Sequence, residues 1–513
     1  SDSFKDNIIA CTHNLVISYT VLTVLKTISS PAHTVWLLVG APLGKNLQPG
    51  TNHSGALYKC PLTTKLDDCE QVVTDGKRTV DSKTLMRPGD DEIKDGQWLG
   101  VTVRSMGPGK KVMVCAHRYM RKGSDYQWGQ GLCYTLTQFL DYDDTWEPCK
   151  GRPTNRAHEQ YGYCQAGTSG LLMDDMAVIG SPGPYTWRGT VFVISVSDSY
   201  LTRDKTIYHG PLLEHESPVD KYSYLGMAVT AGQFFGDKMA YAAGAPRANG
   251  TGQVVLFTPK RASENPMAVR LILKGEQFAS SFGYELTNAD VNGDGKNYQI
   301  VGAPFYFSRE EGGAVYIYIN NKNHCLDCSD PIKLTGKFES RFGFAITNLG
   351  DLNQDGYDDI AVGAPYEGNG VVYIYLGSKK GIIREPAQKI RAEDLRTNFT
   401  MKTFGYSLSG GMDLDNNNYP DLMIGAYDVD AVVLLRARPI INIVTTVQPL
   451  ANLQNIDPSK KGCPRDPNAN YTCFSFAACV TMKLTTSLNL SYTIEAETFQ
   501  TGRKVLPSLV WRS

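Results

Sequence analysis

A phrase of apolar residues running into Gly-Ala-Pro, or a near variant, returns seven times along the 513 residues and limits the fold more than any other feature. It reads LLVGAP around Gly40, VMVCAH around Cys115, AVIGSP around Gly180, YAAGAP around Gly244, QIVGAP around Gly302, IAVGAP around Gly363 and LMIGAY around Gly425. From the second copy onward, an aromatic-Gly or Leu-Gly step stands about 15–20 residues earlier. These steps are Trp98–Gly100, Tyr161–Tyr163, Tyr224–Gly226, Phe282–Tyr284, Phe342–Phe344 and Phe404–Tyr406. Alternating runs such as AVYIYIN and VVYIYLG mark half-buried strands, and Gly and Pro turn the chain between them. A repeat of roughly 60 residues with several short strands and no helical periodicity predicts one propeller blade per copy. The expected fold class is all-β, with a seven-bladed β-propeller over residues 1–437. Solenoids use shorter periods, and a WD-type propeller would carry Trp-Asp, which never occurs.

Three repeats place a carboxylate-rich loop between the two motifs. In the sixth it is DLNQDGYDD, with Asp351, Asn353, Asp355, Tyr357 and Asp359. Oxygen donors at alternate positions, a glycine for the tight turn and a closing carboxylate suit a hard cation, so the expected cofactor is Ca²⁺ at three structural sites. The seventh is DLDNNNYPD, with Asp413, Asp415, Asn417, Tyr419 and Asp421, where Asn418 replaces the glycine and tolerates a left-handed conformation. The fifth is DVNGDGKNY, with Asp290, Asn292 and Asp294. Tyr298 closes that loop in place of a carboxylate, which predicts weaker binding, with Asn297 as an alternative donor. The fourth repeat lacks the series, so no cation is expected there. No helical periodicity flanks these loops, which excludes an EF-hand.

Composition narrows the class of partner. Lys and Arg number 51 against 52 Asp and Glu, a net charge of −1 that argues against a nucleic-acid binder. Ten of the 12 cysteines fall in close sequential pairs, Cys60 with Cys69, Cys115 with Cys133, Cys149 with Cys164, Cys325 with Cys328 and Cys463 with Cys473. Such spacing suits loop-closing disulfides in an extracellular protein. Cys11 and Cys479 are left over. Five glycosylation sequons, at Asn52, Asn249, Asn398, Asn470 and Asn489, agree with that compartment. The apolar stretch Ile8–Ile28 carries His13, Asn14 and Lys26 and reads as strands rather than a membrane span. A membrane anchor is therefore expected beyond Ser513.

Repeat number, motif phase and the three late cation loops together resemble the FG-GAP propeller of integrin α subunits, over about residues 30–437. The resemblance implies a cell-surface, single-pass type I adhesion receptor that pairs with a β subunit. Residues 438–513 resemble the start of the thigh domain, a truncated immunoglobulin-like β-sandwich. In that family pattern Cys463 pairs with Cys473, and Cys479 pairs with a cysteine further on. The interval from Cys115 to Gly180 has no room for the inserted ligand-binding domain that some members carry, so ligand would meet the propeller surface together with the β subunit.

In the Arg-Gly-Asp-binding branch an Asp stands where this chain has Lys221, although Asp220 is adjacent and keeps that branch as the alternative. The stretches Trp146–Gly167 and Gly183–Gly189 resemble the laminin-binding, position-specific branch, making laminin the expected matrix ligand. The family's β partner inserts a basic side chain into an aromatic cage on the propeller axis. Mapped by the aromatic-Gly steps, the cage residues are Trp98, Tyr163, Tyr224, Tyr284, Phe344 and Tyr406. For ligand, the expected loop residues are Tyr185, Trp187, Arg188 and Lys221.

A propeller attached to a hydrolase is the competing class. The eight histidines are scattered, and no nucleophile elbow, HExxH or phosphate loop occurs. The His324–Cys328 stretch offers only half a zinc site. A binding module is expected, not an enzyme. At the other end of the chain, blade one lacks its aromatic-Gly-Tyr step, and residues 5–33 read as an atypical segment. That segment predicts a distorted first blade, no N-terminal strand to complete blade seven, and an unpaired Cys11.

Overall fold

The structure is a computed structural model that describes residues 4–7, 21–27 and 34–438, with breaks at 64, 66, 77–83, 174–175, 200–209, 212–215, 261–266, 322 and 398, and parts of 443–509. The chain divides into two compact units, residues 1–438 and 439–513. Among the described residues the first unit contains seven successive antiparallel blade sheets and, beside them, a small three-stranded sheet of Glu92–Ile93, Met120–Lys122 and Gln127–Trp128. Six blades have four strands and blade three has three. Within each, sequence neighbours pair side by side. Blade five, for example, runs Glu285–Ala289, Tyr298–Phe307, Glu311–Tyr318 and Ile332–Lys337.

The cores lie between blades. Leu256, Phe282, Val301 and Tyr316 share one cluster between blades four and five, and Ile300, Val315, Phe342 and Val362 share the next. Successive strand residues point to opposite faces, so Ile300 and Val301 of one strand serve two different cores. The same division occurs at every blade. The ring closes where Leu37, Val39 and Cys60 of blade one pack with Met423, Val432 and Leu434 of blade seven.

Two expectations for the N-terminal segment are corrected. Blade one is a four-stranded sheet whose innermost strand, Val21–Thr27, pairs in unbroken register with Thr34–Ala41. Its run of β-branched residues, VLTVLKT, suits a strand without the aromatic-Gly step. An N-terminal closing strand is also present, since Phe4–Asn7 pairs antiparallel with Leu434–Ala437 as the fourth strand of blade seven. Cys11 lies outside the described residues.

The repeated glycines have a common steric reason. A Cβ on Gly244 would stand 1.9 Å from the carbonyl oxygen of Gly283 in the next blade. The same approach is 2.1 Å for Gly180 on Gly226 and for Gly363 on Gly405, and 2.4 Å for Gly302 on Gly343. The receiving glycines have φ between 85° and 92°, a region that L side chains rarely adopt. In blade two Cys115 replaces the first glycine. A Cβ on Gly167 opposite would stand 2.6 Å from the Cys115 Cβ, so glycine remains required there.

The second unit contains the antiparallel pair Ile443–Gln448 and Ala477–Met482, with Cys463 bonded to Cys473 between them in sequence. Cys479 stands in the register opposite Thr446. Two further two-stranded pairings follow, ending with Ser508–Leu509.

The blade contact yields a stability prediction. Gly244→Ala should destabilise the propeller by about 1–3 kcal/mol or more through overpacking, measured by urea unfolding. Gly129→Ala, where the new methyl meets only Tyr163 at 3.7 Å, should change stability far less.

Candidate functional site

Three loops leave the ends of innermost strands with the same hydrogen-bond pattern. Asp351 accepts the N–H groups of Asp355 at 2.9 Å and Gly356 at 2.7 Å. Asp413 does the same for Asn417 at 3.1 Å and Asn418 at 2.8 Å. Asp290 accepts Asp294 at 3.1 Å and Gly295 at 2.7 Å. The sixth position is left-handed in all three, with φ of 92° at Gly356, 69° at Asn418 and 80° at Gly295. Asn418 therefore takes the glycine's conformation. The loop backbone curls so that the alternate side chains Asp413 and Asp415 face the closing Asp421, with one carboxylate oxygen from each lying within 4.8 Å of the others.

The closing carboxylates are buried and tied to the sheet. Asp359 accepts the N–H groups of Leu352 at 2.9 Å and Gly377 at 2.8 Å. Asp421 accepts those of Leu414 at 2.9 Å and Ala437 at 2.8 Å. Burial pushes Asp359 up to about 7, and the carboxylates of Asp355 and Asp351 add to the rise. Burial likewise pushes Asp421 up to about 6, with Asp415 and Asp413 contributing. Clustered carboxylates that resist ionisation are a fitting donor set for a divalent cation, which would supply the missing positive charge.

The fifth repeat differs. Tyr298 begins the second strand of its blade and is buried in the hydrophobic cluster between blades five and six. Its phenol is pushed up to about 12, first by burial, and is not an anionic donor. Asn297 does not replace it, because its side-chain oxygen accepts the N–H of Gln233 in blade four at 3.0 Å.

At the opposite end of the innermost strands, a cavity of about 330 Å³ opens on the propeller axis. Its rim corrects the aromatic mapping. Gly100, Gly167, Gly226, Gly283 and Gly343 are equivalent, since each donates its N–H to the glycine-position carbonyl of its own blade at 2.9–3.0 Å. The residue after each glycine lines the cavity, namely Val101, Thr168, Met227, Tyr284 and Phe344, and Tyr406 does so after Gly405. Among the described residues, aromatic side chains thus occupy this position only in blades five to seven. Their rings form an arc, with centroids 5.0 Å apart for Tyr284 and Phe344, 4.6 Å for Phe344 and Tyr406, and 4.4 Å from Tyr406 to Tyr427.

Trp98 and Tyr224 instead stand two residues before their glycines, in the left-handed position also held by Ser281, Arg341 and Thr403. Trp98 still lines the cavity, edge-on to His117 at 5.6 Å. Tyr224 lies outside the lining and packs against Trp187 at 5.7 Å, with Arg247 over its ring at 4.9 Å. Tyr163 is also outside and meets Trp128 at 5.9 Å, on a hairpin that blade two sends out between its second and third strands. Tyr427, Arg247 and Trp128 were missed because no motif marks them. Tyr427, which stands in the proline position of the seventh copy, was the one readable signal.

The expected ligand residues share two adjoining loops. Tyr222, Tyr224 and Leu225 donate N–H groups to the carbonyls of Thr186, Trp187 and Arg188 at 2.8–3.0 Å. Tyr185 meets Tyr161 edge-on at 5.1 Å. Lys221 and Asp220 are both exposed. All five cysteine pairs are bonded, which leaves Cys325 and Cys328 no free thiolate for zinc. Asn52, Asn249 and Asn470 are exposed, while Asn398 and Asn489 lie outside the described residues.

Family models match at two places, the FG-GAP repeat over residues 342–375 and integrin alpha Ig-like domain 1 over residues 437–507. Integrin alpha-7 of Rattus norvegicus is 41% identical over 436 residues, covering 80% of this chain and 36% of the relative. The chain belongs to the integrin α family. Integrin alpha-6 of Gallus gallus is 41% identical over 493 residues, covering 90% of this chain and 44% of the relative. For integrin alpha-3 of Cricetulus griseus the identity is 37% over 476 residues, with 90% and 43% covered. The chain thus spans less than half the length of these relatives. Among the described residues, no helix is long and apolar enough to cross a membrane.

The raised carboxyls predict a pH effect of definite sign. Asp359 and Asp421 hold protons longer folded than at their ordinary value of 3.8. In a chelator, stability should fall as pH rises from about 4 through 7, because the folded state binds more protons there. Calcium should remove most of that slope. Melting temperature measured from pH 4.5 to 8 with and without Ca²⁺ checks both, and Asp421→Asn should flatten the chelator curve.

Proposed function

We propose that this chain is the head of an integrin α subunit, the extracellular part of a cell-surface, type I adhesion receptor. It pairs with a β subunit through the axial mouth and binds extracellular matrix, with laminin as the ligand, in a manner that requires divalent cations. The observation that carries this reading is the arc of Tyr284, Phe344 and Tyr406 over the axial cavity. Aromatic faces turned to a half-enclosed space attract a cation by about 0.5–2 kcal/mol each, and a protruding Lys or Arg of a partner supplies one.

Three Ca²⁺ ions would be held by Asp351, Asn353, Asp355 and Asp359, by Asp413, Asp415, Asn417 and Asp421, and more weakly by Asp290, Asn292 and Asp294. The backbone carbonyls of Tyr357 and Tyr419 complete the first two sets. The ions neutralise the carboxylates and brace the loops, and they take no part in chemistry. Matrix ligand meets the loops carrying Tyr185, Trp187, Arg188 and Lys221. The laminin reading is supported by the likeness to integrin alpha-7, alpha-6 and alpha-3 and by Lys221, whose charge repels a ligand arginine.

The test is capture of the chain with candidate β subunits, followed by binding to laminin and to an Arg-Gly-Asp peptide. Laminin binding should appear with divalent cation, vanish in chelator, and drop about tenfold or more on Trp187→Ala, the loss of one aromatic hot spot. Binding of the Arg-Gly-Asp peptide that survives Lys221→Ala but not Asp220→Ala would favour the other branch instead. Reproducible metal-dependent hydrolysis by the purified chain would overturn the receptor reading.

A further inference from the structure

The axial cavity holds one feature that the aromatic arc does not explain. Just below the arc, the next residue of each innermost strand also faces the cavity. In blades two to seven these residues are Thr102, Ser169, Ala228, Glu285, Ala345 and Ser407. Five are small and neutral. Glu285 is the only carboxylate among the described lining residues, and it directly follows Tyr284 of the arc.

The Glu285 side chain makes no hydrogen bond or ion pair among the described residues, and it is half-buried, facing the cavity. Two other ionisable groups face the same space. Arg104 lies two residues deeper along the blade-two strand, roughly 6–7 Å further from the mouth at ~3.3 Å per residue. Its guanidinium is occupied with the carbonyls of Gly170 at 3.0 Å and Val103 at 3.2 Å. His117, beside Trp98, is pushed down to about 4 by burial and by the neighbouring Arg118, so it is neutral at physiological pH. Burial raises the Glu285 carboxyl to about 7, and Arg104 opposes the rise without cancelling it. A half-buried carboxylate that is hydrogen-bonded to no side chain, with Arg104 as its one cationic neighbour, is costly to the free protein. Its position under three aromatic faces makes it the natural terminus for a cation that enters between them.

We propose that Glu285 is the counter-ion for the partner's inserted cationic side chain, so that the axial site recognises charge through a carboxylate floor as well as an aromatic rim. The proposal rests on the reading of the aromatic arc as the β-subunit contact. The arc alone would accept any cation weakly by its ring faces. A carboxylate below it adds a charge-assisted hydrogen bond that a neutral or acidic side chain cannot make. It also gives the free head a partly desolvated acid that association pairs with a cation, which favours the heterodimer over the lone subunit.

The experiment compares the full chain with Glu285→Gln and Phe344→Ala. It measures the dissociation constant for the soluble head of whichever β subunit captures the wild type, and the melting temperature of each free chain at pH 7.5. Phe344→Ala should weaken association, which tests the arc. Glu285→Gln should weaken association about tenfold or more, as expected when one member of an enclosed charge pair is removed, while leaving the melting temperature unchanged or higher. A purely structural role for Glu285 predicts the opposite thermal shift, so a Glu285→Gln variant that melts lower overturns the proposal. Weakening by Phe344→Ala with Glu285→Gln at wild-type affinity overturns it as well, and leaves the arc reading standing. If neither substitution changes affinity, the arc reading fails and the proposal fails with it.

Discussion

The propeller depends on how closely one blade's backbone can approach the next. At five blade junctions a glycine of the second strand lies against the carbonyl of a left-handed glycine in the following blade, at a separation that admits no Cβ. Close approach lets side chains of both faces interdigitate, so each blade contributes to two cores and no sheet face is left bare. Because cores belong to junctions, the ring must close. Phe4–Asn7 on the edge of blade seven and the packing of blade one against Met423 and Leu434 meet that requirement.

With the scaffold held this way, the two ends of the innermost strands become separate chemical environments. One end carries the carboxylate loops, whose closing Asp359 and Asp421 are fixed by two backbone N–H groups each. These bonds orient the acids and leave the repulsion from the other carboxylates of each loop unrelieved, a donor set that suits a divalent cation. Loops five and six are also linked, since Asp358 accepts the N–H of Asp290 at 2.9 Å and donates its own N–H to the Asp290 carbonyl. The other end carries the axial cavity, with the arc of Tyr284, Phe344 and Tyr406 on the side of blades five to seven, Trp98, His117 and Arg104 from blade two, and smaller or aliphatic residues from blades three and four. Only that asymmetry gives the site a direction.

Much of the fold was legible in the amino-acid order. Seven related phrases, six of them with glycine, alternating Val, Ile and Tyr, and carboxylates at every second loop position are local signals, because each arises from the geometry of a few consecutive residues. The Asn418 substitution was readable for the same reason. Blade one and the closing strand were not. VLTVLKT has no motif, and a strand that pairs with residues some 430 positions away leaves no local trace.

The same distinction applies to the sites. Amino-acid order alone carried the repeat, the three carboxylate-rich loops, the cysteine pairs and the aromatic-Gly or Leu-Gly steps from the second copy onward. Which aromatics meet on the axis was decided only in three dimensions. In blades five to seven the ring follows the left-handed glycine, whereas Trp98 and Tyr224 precede it by two residues, and of these two only Trp98 reaches the cavity. Glu285 looks like an ordinary strand residue until the register of six strands brings it, as the one carboxylate among the described lining residues, to the floor of the cavity. Periodicity is written in the chain because it repeats locally. A cavity is made by residues that are distant in sequence, so its composition appears only when the ring is closed.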